Sequence, residues 1–338
     1  MIISMQPDAT KEQLDAVFAR IEELGYKSHP IFGEERTVIG VVGRLHRPEK
    51  ELFEGLDGVD TVVYISKPFK LVSKELKREA SVFDIGGVKV GGTELMLAAG
   101  PCSVESEAQI VEIAREVKAG GAKFLRGGAY KPRTSPFSFQ GLGREGLEFM
   151  ATARAETGLK IVTEVLSIKD IDLVAEYADV IQIGARNCQN FALLEAVGKA
   201  RKPVLYKRGM STTVNEWLQA ADYILDGGNE EVILCERGIR TFETATRNTL
   251  DTNAVALVKE MSHLPIIVDP SHATGHDHLV IPAARAGIAA GADGLIIEVH
   301  THPEKAWSDG HQCLRPARFR DCVAQVRRIA EAMGRTIG

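Results

Sequence analysis

Eight times between Leu95 and His300, an apolar, β-like run ends in a residue that can bind a ligand or do chemistry. Cys102 follows the run 95–101, Arg126 follows Lys123-Phe124-Leu125, Glu164 follows Ile161-Val162-Thr163, and Arg186 follows the run 180–185. Lys207 closes Val204-Leu205-Tyr206, Arg237 closes 232–236, His272 closes 266–271, and Glu298 closes Leu295-Ile296-Ile297. Candidate helices lie between and after these runs, at 105–119, 144–157, 168–177, 191–200, 213–225, 253–261, 279–290 and 317–333. Eight strand–helix units in succession predict a (β/α)8 TIM barrel rather than an open doubly wound sheet. An open dinucleotide-binding sheet would also call for G-x-G-x-x-G after its first strand, where this chain has Gly100-Pro101-Cys102-Ser103. In a closed barrel all eight endings converge on one mouth.

The chain has 338 residues, which suits a barrel of roughly 250 residues plus a small appendage. Residues 1–73 alternate differently from the rest. Ile2 to Met5 reads as a strand, 10–24 as a helix with apolar spacing at Leu14, Val17, Phe18 and Ile21, then a strand pair around 28–30 and 37–42, a helix 48–56 and a strand 61–65. This βαββαβ order predicts a ferredoxin-like domain. A charged connector and a hairpin turning on paired glycines occupy 74–93, where the hairpin can plug the bottom of a barrel that runs over 94–338.

Charged residues at 26% and hydrophobic residues at 44% indicate an ordinary globular chain. No run approaches the ~20 apolar residues of a membrane span, and no basic region followed by an apolar core begins the chain, so a cytoplasmic protein without membrane association is expected. A net charge of −5 argues against a general nucleic-acid binder. Five cysteines, an odd number with no secretion signal, point to buried thiols and one ligand rather than to disulfides.

Cys102, His272, Glu298 and, in the loop after the last strand, Asp309 offer one thiolate, one imidazole and two carboxylates from neighbouring positions around the barrel. Such a set suits a borderline divalent metal and argues against a pure magnesium or calcium site. Each residue alone reads more simply as a buried thiol, a satisfied polar group or a solvated acid. Their joint position at strand ends favours metal. A second set is cationic: Arg126, Lys131, Arg133, Arg186, Lys207, Arg208, Arg237 and Arg240 lie at or just after strand ends two, four, five and six. Guanidinium forks and compact ammonium charges together suit small, multiply charged anions such as phosphates. Arg208 and Arg240 are the members most easily read as structural. Glu164, among cations, is expected to ionise readily and to accept from a lysine or a water.

At these residues a resemblance becomes specific. Ala99-Gly100-Pro101-Cys102-Ser103, the stretch from Leu125 to Pro136, Gln182-Ile183-Gly184-Ala185-Arg186-Asn187, Lys207-Arg208-Gly209, the stretch from Cys235 to Phe242 and Val268-Asp269-Pro270-Ser271-His272 resemble the 3-deoxy-D-arabino-heptulosonate 7-phosphate (DAHP) synthase family. The similarity runs over the whole chain, including the N-terminal domain of one bacterial and archaeal branch. It implies condensation of phosphoenolpyruvate with erythrose 4-phosphate, the first step toward aromatic amino acids. It further implies one divalent metal per subunit (manganese, iron, zinc or similar) on Cys102, His272, Glu298 and Asp309, and phosphoenolpyruvate held by Arg126, Lys131, Ala185, Arg186, Lys207 and Arg237. The sugar-phosphate site would comprise Lys131, Pro132, Arg133, Thr134, Ser135 and Asp309, with Arg133 and Ser135 at the phosphate. Lys131, Cys102, His272 and Glu164 are then the catalytic candidates, and the choice between Lys131 and a water on the metal as proton donor stays open. A homotetramer with tyrosine or phenylalanine as feedback effector on the N-terminal domain is also implied.

Three other readings compete. The sister synthase that uses arabinose 5-phosphate resembles Lys-Ala-Asn-Arg-Ser where this chain has Lys131-Pro132-Arg133-Thr134-Ser135, and the missing asparagine favours the four-carbon sugar. A Schiff-base aldolase would use Lys207, with Arg186 and Arg208 depressing its pKa. An amino-acid sensor would keep the barrel only as a scaffold. The additional histidines His276, His278 and His302 are expected in solvent.

Overall fold

The computed structural model describes residues 1–33, 35–43, 50–133 and 135–337. They form two compact units, one of Met1–Glu79 with Met261–His263 and one of Ala80–Glu260 with Leu264–Gly338.

The first unit runs β1 (Ile2–Met5), α1 (Lys11–Glu23), β2 (Lys27–Phe32), β3 (Thr37–Val42), α2 (Glu51–Glu54) and β4 (Val59–Val63). Its antiparallel sheet has the order β2-β3-β1-β4, with Ile3 opposite both Ile39 and Val62, which is the ferredoxin-like arrangement expected from the sequence. Thr10 ends the preceding loop as the cap of α1, its hydroxyl accepting from the Gln13 N–H while Gln13 reaches back to the Thr10 N–H. Val17 and Ile21 then face Ile3, Ile39 and Phe53 in a core closed to solvent. The first residues of the predicted helix 48–56 lie outside the described residues.

The second unit opens with a hairpin, β5 (Phe83–Ile85) and β6 (Val88–Val90). Strands and helices then alternate: β7 (Met96–Gly100), α3 (Glu107–Ala119), β8 (Phe124–Arg126), α4 (Arg144–Thr157), β9 (Lys160–Glu164), α5 (Ile171–Tyr177), β10 (Val180–Ile183) and α6 (Phe191–Gly198). They continue with β11 (Val204–Lys207), α7 (Val214–Asp226), β12 (Val232–Glu236), α8 (Thr252–Met261), β13 (Ile266–Val268), α9 (Pro270–Thr274), α10 (Asp277–Ala289), β14 (Gly294–Glu298) and α11 (Pro316–Ala332). All eight strands from β7 to β14 pair in parallel, and β14 returns to β7 through Gly294 to Met96 and Glu298 to Gly100, closing the barrel. Because helices cover the outside and side chains fill the inside, β7, β12 and β14 are buried along their whole length and read as unbroken apolar runs. Met96, Phe124, Val162, Val180, Leu205, Ile233, Ile267 and Ile296 form the interior, and Ile85 and Val90 of the hairpin pack into the same cluster. No helix of the described residues is long and apolar enough to cross a membrane.

Candidate active site

The strand ends bring the four soft and acidic candidates to one corner of the mouth. Gly100 makes this approach feasible: its φ is +153°, and a Cβ there would lie 2.1 Å from the Arg126 carbonyl oxygen, so only glycine lets β7 leave the barrel flush against β8. Cys102 follows, 1% exposed. Its thiol lies 3.2 Å from both Ser308 Oγ and Asp309 Oδ2, and it accepts from Lys131 Nζ at 3.0 Å. Glu298, the last residue of β14, is 1% exposed and takes Arg126 Nη1 on Oε1 at 2.6 Å and Gln312 Nε2 on Oε2 at 2.6 Å. Asp309 adopts φ +52°, a left-handed conformation that is unusual for any residue but glycine and is tolerated by Asp.

His272 departs from the sequence reading. The run 266–271 is not one strand: β13 stops at Val268, and Asp269 caps the short helix α9, on which His272 rides. Pro270 at the first helical position, which lacks the N–H a strand ladder needs and has its φ preset for a helix, accounts for the break. Asp269 Oδ1 accepts the His272 backbone N–H at 2.9 Å, and Oδ2 faces ring Nδ1 at 2.8 Å. With Nδ1 thus engaged as donor, Nε2 presents its lone pair to the corner, 3.4 Å from Glu298 Oε1.

One ligand atom from each of Cys102, His272, Glu298 and Asp309 lies within 4.8 Å of the other three. The charges suit a cation. Burial lowers the His272 pKa, against Asp269 and Glu298, which keeps the ring neutral and able to ligate. Burial would raise Asp309, but Arg247 and His272 hold its carboxyl at about 2. Burial and then Glu298 push the Cys102 thiol up to about 11, with Lys131 opposing. A sulfur, a nitrogen and two carboxylate oxygens, gathered in a corner where acids crowd a thiol, fit a borderline divalent ion.

Beside this corner opens a cavity of about 280 Å³. Its wall carries the cations Arg126, Lys131, Arg133, Arg186, Lys207, Arg237 and Arg247 against the acids Glu164 and Asp309. Lys207, 4% exposed, is held by Asp269 Oδ2 at 2.5 Å. Burial draws the Arg237 guanidinium below its ordinary value, opposed by Asp269 and reinforced by Arg247. Arg133 is pinned across the mouth, its Nε donating to the Phe139 carbonyl at 2.9 Å and its Nη2 to Ser308 Oγ at 2.7 Å. The ring of Phe139 meets Trp307 edge-on at 5.0 Å, so the loop after β8 and the loop after β14 are fastened together.

Most residues singled out from the sequence therefore meet in one place. Arg126, Lys131, Pro132, Arg133, Ser135, Glu164, Ala185, Arg186, Lys207, Arg237, His272 and Asp309 line the cavity, and Cys102 and Glu298 lie buried next to it. Thr134 lies outside the described residues. Arg208 is buried away from the cavity, paired with Glu236 at 3.0 Å and Asp251 at 2.9 Å, and Arg240 is exposed. His278 and His302 are exposed, His276 is half-buried, and none belongs to the ligand cluster.

One expectation is corrected in degree. Glu164 ionises less readily than its cationic neighbours imply: burial raises its carboxyl above the ordinary value, outweighing Lys131, Lys207 and Arg126. Its Oε2 accepts from Gln182 Nε2 at 3.1 Å, while Oε1 has no hydrogen-bond partner among the described residues.

Sequence reasoning passed over Asp269, Arg247, Ser308 and Gln312. Arg247 Nη1 donates to Gln312 Oε1 at 2.8 Å and lies 3.4 Å from Asp309 Oδ1, so it braces both carboxylates of the corner, one of them through the amide. A cap pattern, Asp followed by Pro and then by His at the third position, was the available signal for Asp269. The other three depend on tertiary contacts alone.

Residues 72–333 match the model of the DAHP synthetase I family, and residues 1–67 match that of the DAHP synthase ferredoxin-like domain. The phospho-2-dehydro-3-deoxyheptonate aldolase of Thermotoga maritima is 51% identical over 334 residues, covering 99% of each chain. Its crystal structure superposes with a TM-score of 0.80 over 100% of this chain and 99% of that one, at 50% identity. A 2-dehydro-3-deoxyphosphooctonate aldolase of Koribacter versatilis is 30% identical, covering 74% of this chain and 96% of its own. Closed barrel, N-terminal sheet and full-length similarity agree: this chain belongs to the DAHP synthetase I family, in the branch that carries a ferredoxin-like domain.

Proposed function

We propose that the barrel mouth condenses phosphoenolpyruvate with erythrose 4-phosphate and water, giving DAHP and phosphate. The observation that carries this reading is the adjacency of a thiol–imidazole–dicarboxylate corner and a cavity walled by cations. A metal site alone would serve many reactions. A cationic cavity alone would serve any phosphate. Together they suit the joining of two mutually repelling anions, one of which carries a carbonyl.

Cys102, His272, Glu298 and Asp309 would hold the divalent ion, which when bound supplies Lewis-acid polarisation of the aldehyde carbonyl. Arg126, Arg186, Lys207 and Arg237, with the backbone at Ala185, bind and orient phosphoenolpyruvate; Arg133 and Ser135 take the sugar phosphate, with Pro132 shaping the wall. C3 of phosphoenolpyruvate bonds to the aldehyde carbon with the electron pair of its double bond. Lys131 delivers a proton to the oxygen that was the carbonyl. Water adds to C2, and Glu164 Oε1, lacking a protein partner among the described residues, accepts a proton from it. A raised carboxyl pKa makes Glu164 the better base for that step. The bond from C2 to the phosphate-bearing oxygen then breaks as the C2 hydroxyl becomes the ketone, and phosphate leaves with that hydroxyl's proton into the cations that held it.

Two rival chemistries lose support. Lys207 is an ammonium paired with buried Asp269, and an amine committed in this way is a poor Schiff-base nucleophile. Relatives that make the eight-carbon product are 30–32% identical, against 51% for the heptonate enzyme. The deciding experiment measures phosphate release with each sugar, together with metal analysis, on wild type and Cys102→Ala. Turnover with arabinose 5-phosphate alone, or an active enzyme free of metal, refutes the reading.

We further propose a cytoplasmic homotetramer in which residues 1–73 sense tyrosine or phenylalanine. What supports a separate module for this role is the match of residues 1–67 to the ferredoxin-like domain model; the tetramer and the effector rest on the family resemblance. Truncation before Val82 should remove inhibition and leave activity; inhibition that persists refutes this control.

A further inference from the structure

Resting on the reading above, we infer that Asp269 is a positioning residue that couples metal binding to phosphoenolpyruvate binding through a single carboxylate oxygen. Asp269 belongs neither to the cavity wall nor to the ligand cluster, yet it holds one member of each. Its Oδ2 faces His272 Nδ1 at 2.8 Å and accepts from Lys207 Nζ at 2.5 Å, while Oδ1 secures the His272 backbone N–H at 2.9 Å. The carboxylate itself is fixed. Asp269 is 1% exposed, and its own N–H donates to the Glu236 carbonyl at 2.8 Å, which ties the end of β13 to that of β12.

The shared oxygen has two consequences. By taking Nδ1–H of His272, it fixes the tautomer whose Nε2 faces Glu298 and the ligand corner. By taking one of the three ammonium protons of Lys207, it leaves two to point toward an anion in the cavity. The negative charge also stands between the site of a divalent cation and a fixed ammonium, reducing the repulsion between them. Two binding events that share one polar group must influence each other, and by linkage each changes the other's affinity by the same factor. No direct contact between Lys207 and the metal ligands is needed.

The test uses the full-length protein and cobalt(II), whose thiolate charge-transfer absorption reports binding without turnover. Asp269→Asn keeps the shape and removes the charge. It should weaken cobalt affinity by about 10- to 100-fold, the range for loss of a partner to a ligating histidine. At saturating metal it should raise KM for phosphoenolpyruvate about tenfold and leave KM for erythrose 4-phosphate within about twofold, the measure of the predicted split. Lys207→Met, which touches no metal ligand, should tighten cobalt binding severalfold because one charge leaves and Oδ2 then serves His272 alone.

Weaker cobalt binding with an unchanged phosphoenolpyruvate KM would confine Asp269 to the histidine and overturn the coupling. Unaltered cobalt affinity in Lys207→Met would overturn it too, and that variant decides the matter if Asp269→Asn fails to fold. A wild type that binds no cobalt, or does not consume the two substrates, refutes the proposed function instead.

Discussion

Lys131 faces Cys102 twice, its ammonium 3.0 Å from the sulfur and 2.9 Å from the carbonyl oxygen of the same residue. The proposed proton donor is thus anchored to a proposed metal ligand, and both contacts come from a lysine only 7% exposed. Lys131→Met should lower kcat by about 10²- to 10⁴-fold, the usual contribution of a positioned acid, while metal content stays at the wild-type level. A rate within about tenfold of wild type would transfer the proton to another donor.

Metal removal should be visible as lost stability. A ligand that binds only the folded state contributes about 2.7 kcal/mol at one hundred times its dissociation constant. Chelator-treated protein should melt several degrees lower, and manganese or zinc should restore the wild-type midpoint but leave Cys102→Ala unmoved. Thermal melts with and without metal check this. Identical midpoints would mean that the corner of four ligands holds no ion.

Gly184 lies against Glu164 so closely that a Cβ would come within 2.0 Å of Oε1. Gly184→Ala should destabilise the chain by about 1–3 kcal/mol, as overpacking does, and reduce turnover by displacing the Glu164 carboxyl. Adding Glu164→Ala should return most of the stability and none of the activity. Denaturant unfolding of the two single variants and the double variant measures that interaction directly.

How much of this was legible beforehand follows from the kind of signal each residue gives. The barrel was readable because buried parallel strands are unbroken apolar runs, and the mouth because such a run breaks at a charged residue, as at Arg126, Glu164 and Glu298. α9 was hidden: Ile266 to Ser271 is apolar enough to pass for one strand, and only Pro270 marks where it turns helical. Asp269 was lost inside that same run. Arg247 acts across the fold, 65 residues from the Gln312 amide to which it donates, and the Gln312 contact to Glu298 spans an irregular loop, so no local spacing predicts either pair. Glu164 failed for a different reason, since its neighbouring charges could be read from the chain but its enclosure could not.

The first unit carries its own pH dependence. His263, 5% exposed, has its pKa lowered to about 4 by burial, with the Leu71 carbonyl at 2.8 Å opposing and Lys77 and Lys74 adding to the fall. A ring whose folded pKa lies below its unfolded value favours the unfolded chain as acid is added. Stability is therefore complete above pH 6.5, declines through the window down to about pH 4, and is lower by roughly 2 kcal/mol at pH 5. His263→Gln should lose that part of the decline, so the gap between the two proteins narrows from pH 7 to pH 5. An equal decline in both would assign the acid sensitivity elsewhere.

The hairpin β5–β6 has a consequence for traffic. Because Ile85 and Val90 stopper the far end and side chains fill the interior, everything that reaches the mouth must come and go through one opening. Along that single route Arg126, at 4% exposed, lies deep, and Ser135, on the wall proposed for the sugar phosphate, is exposed near the opening. Whatever occupies the floor must arrive before, and depart after, whatever occupies the rim. On the proposed assignment, the order in which the two anions enter and leave would be set by architecture, before any change of shape is invoked.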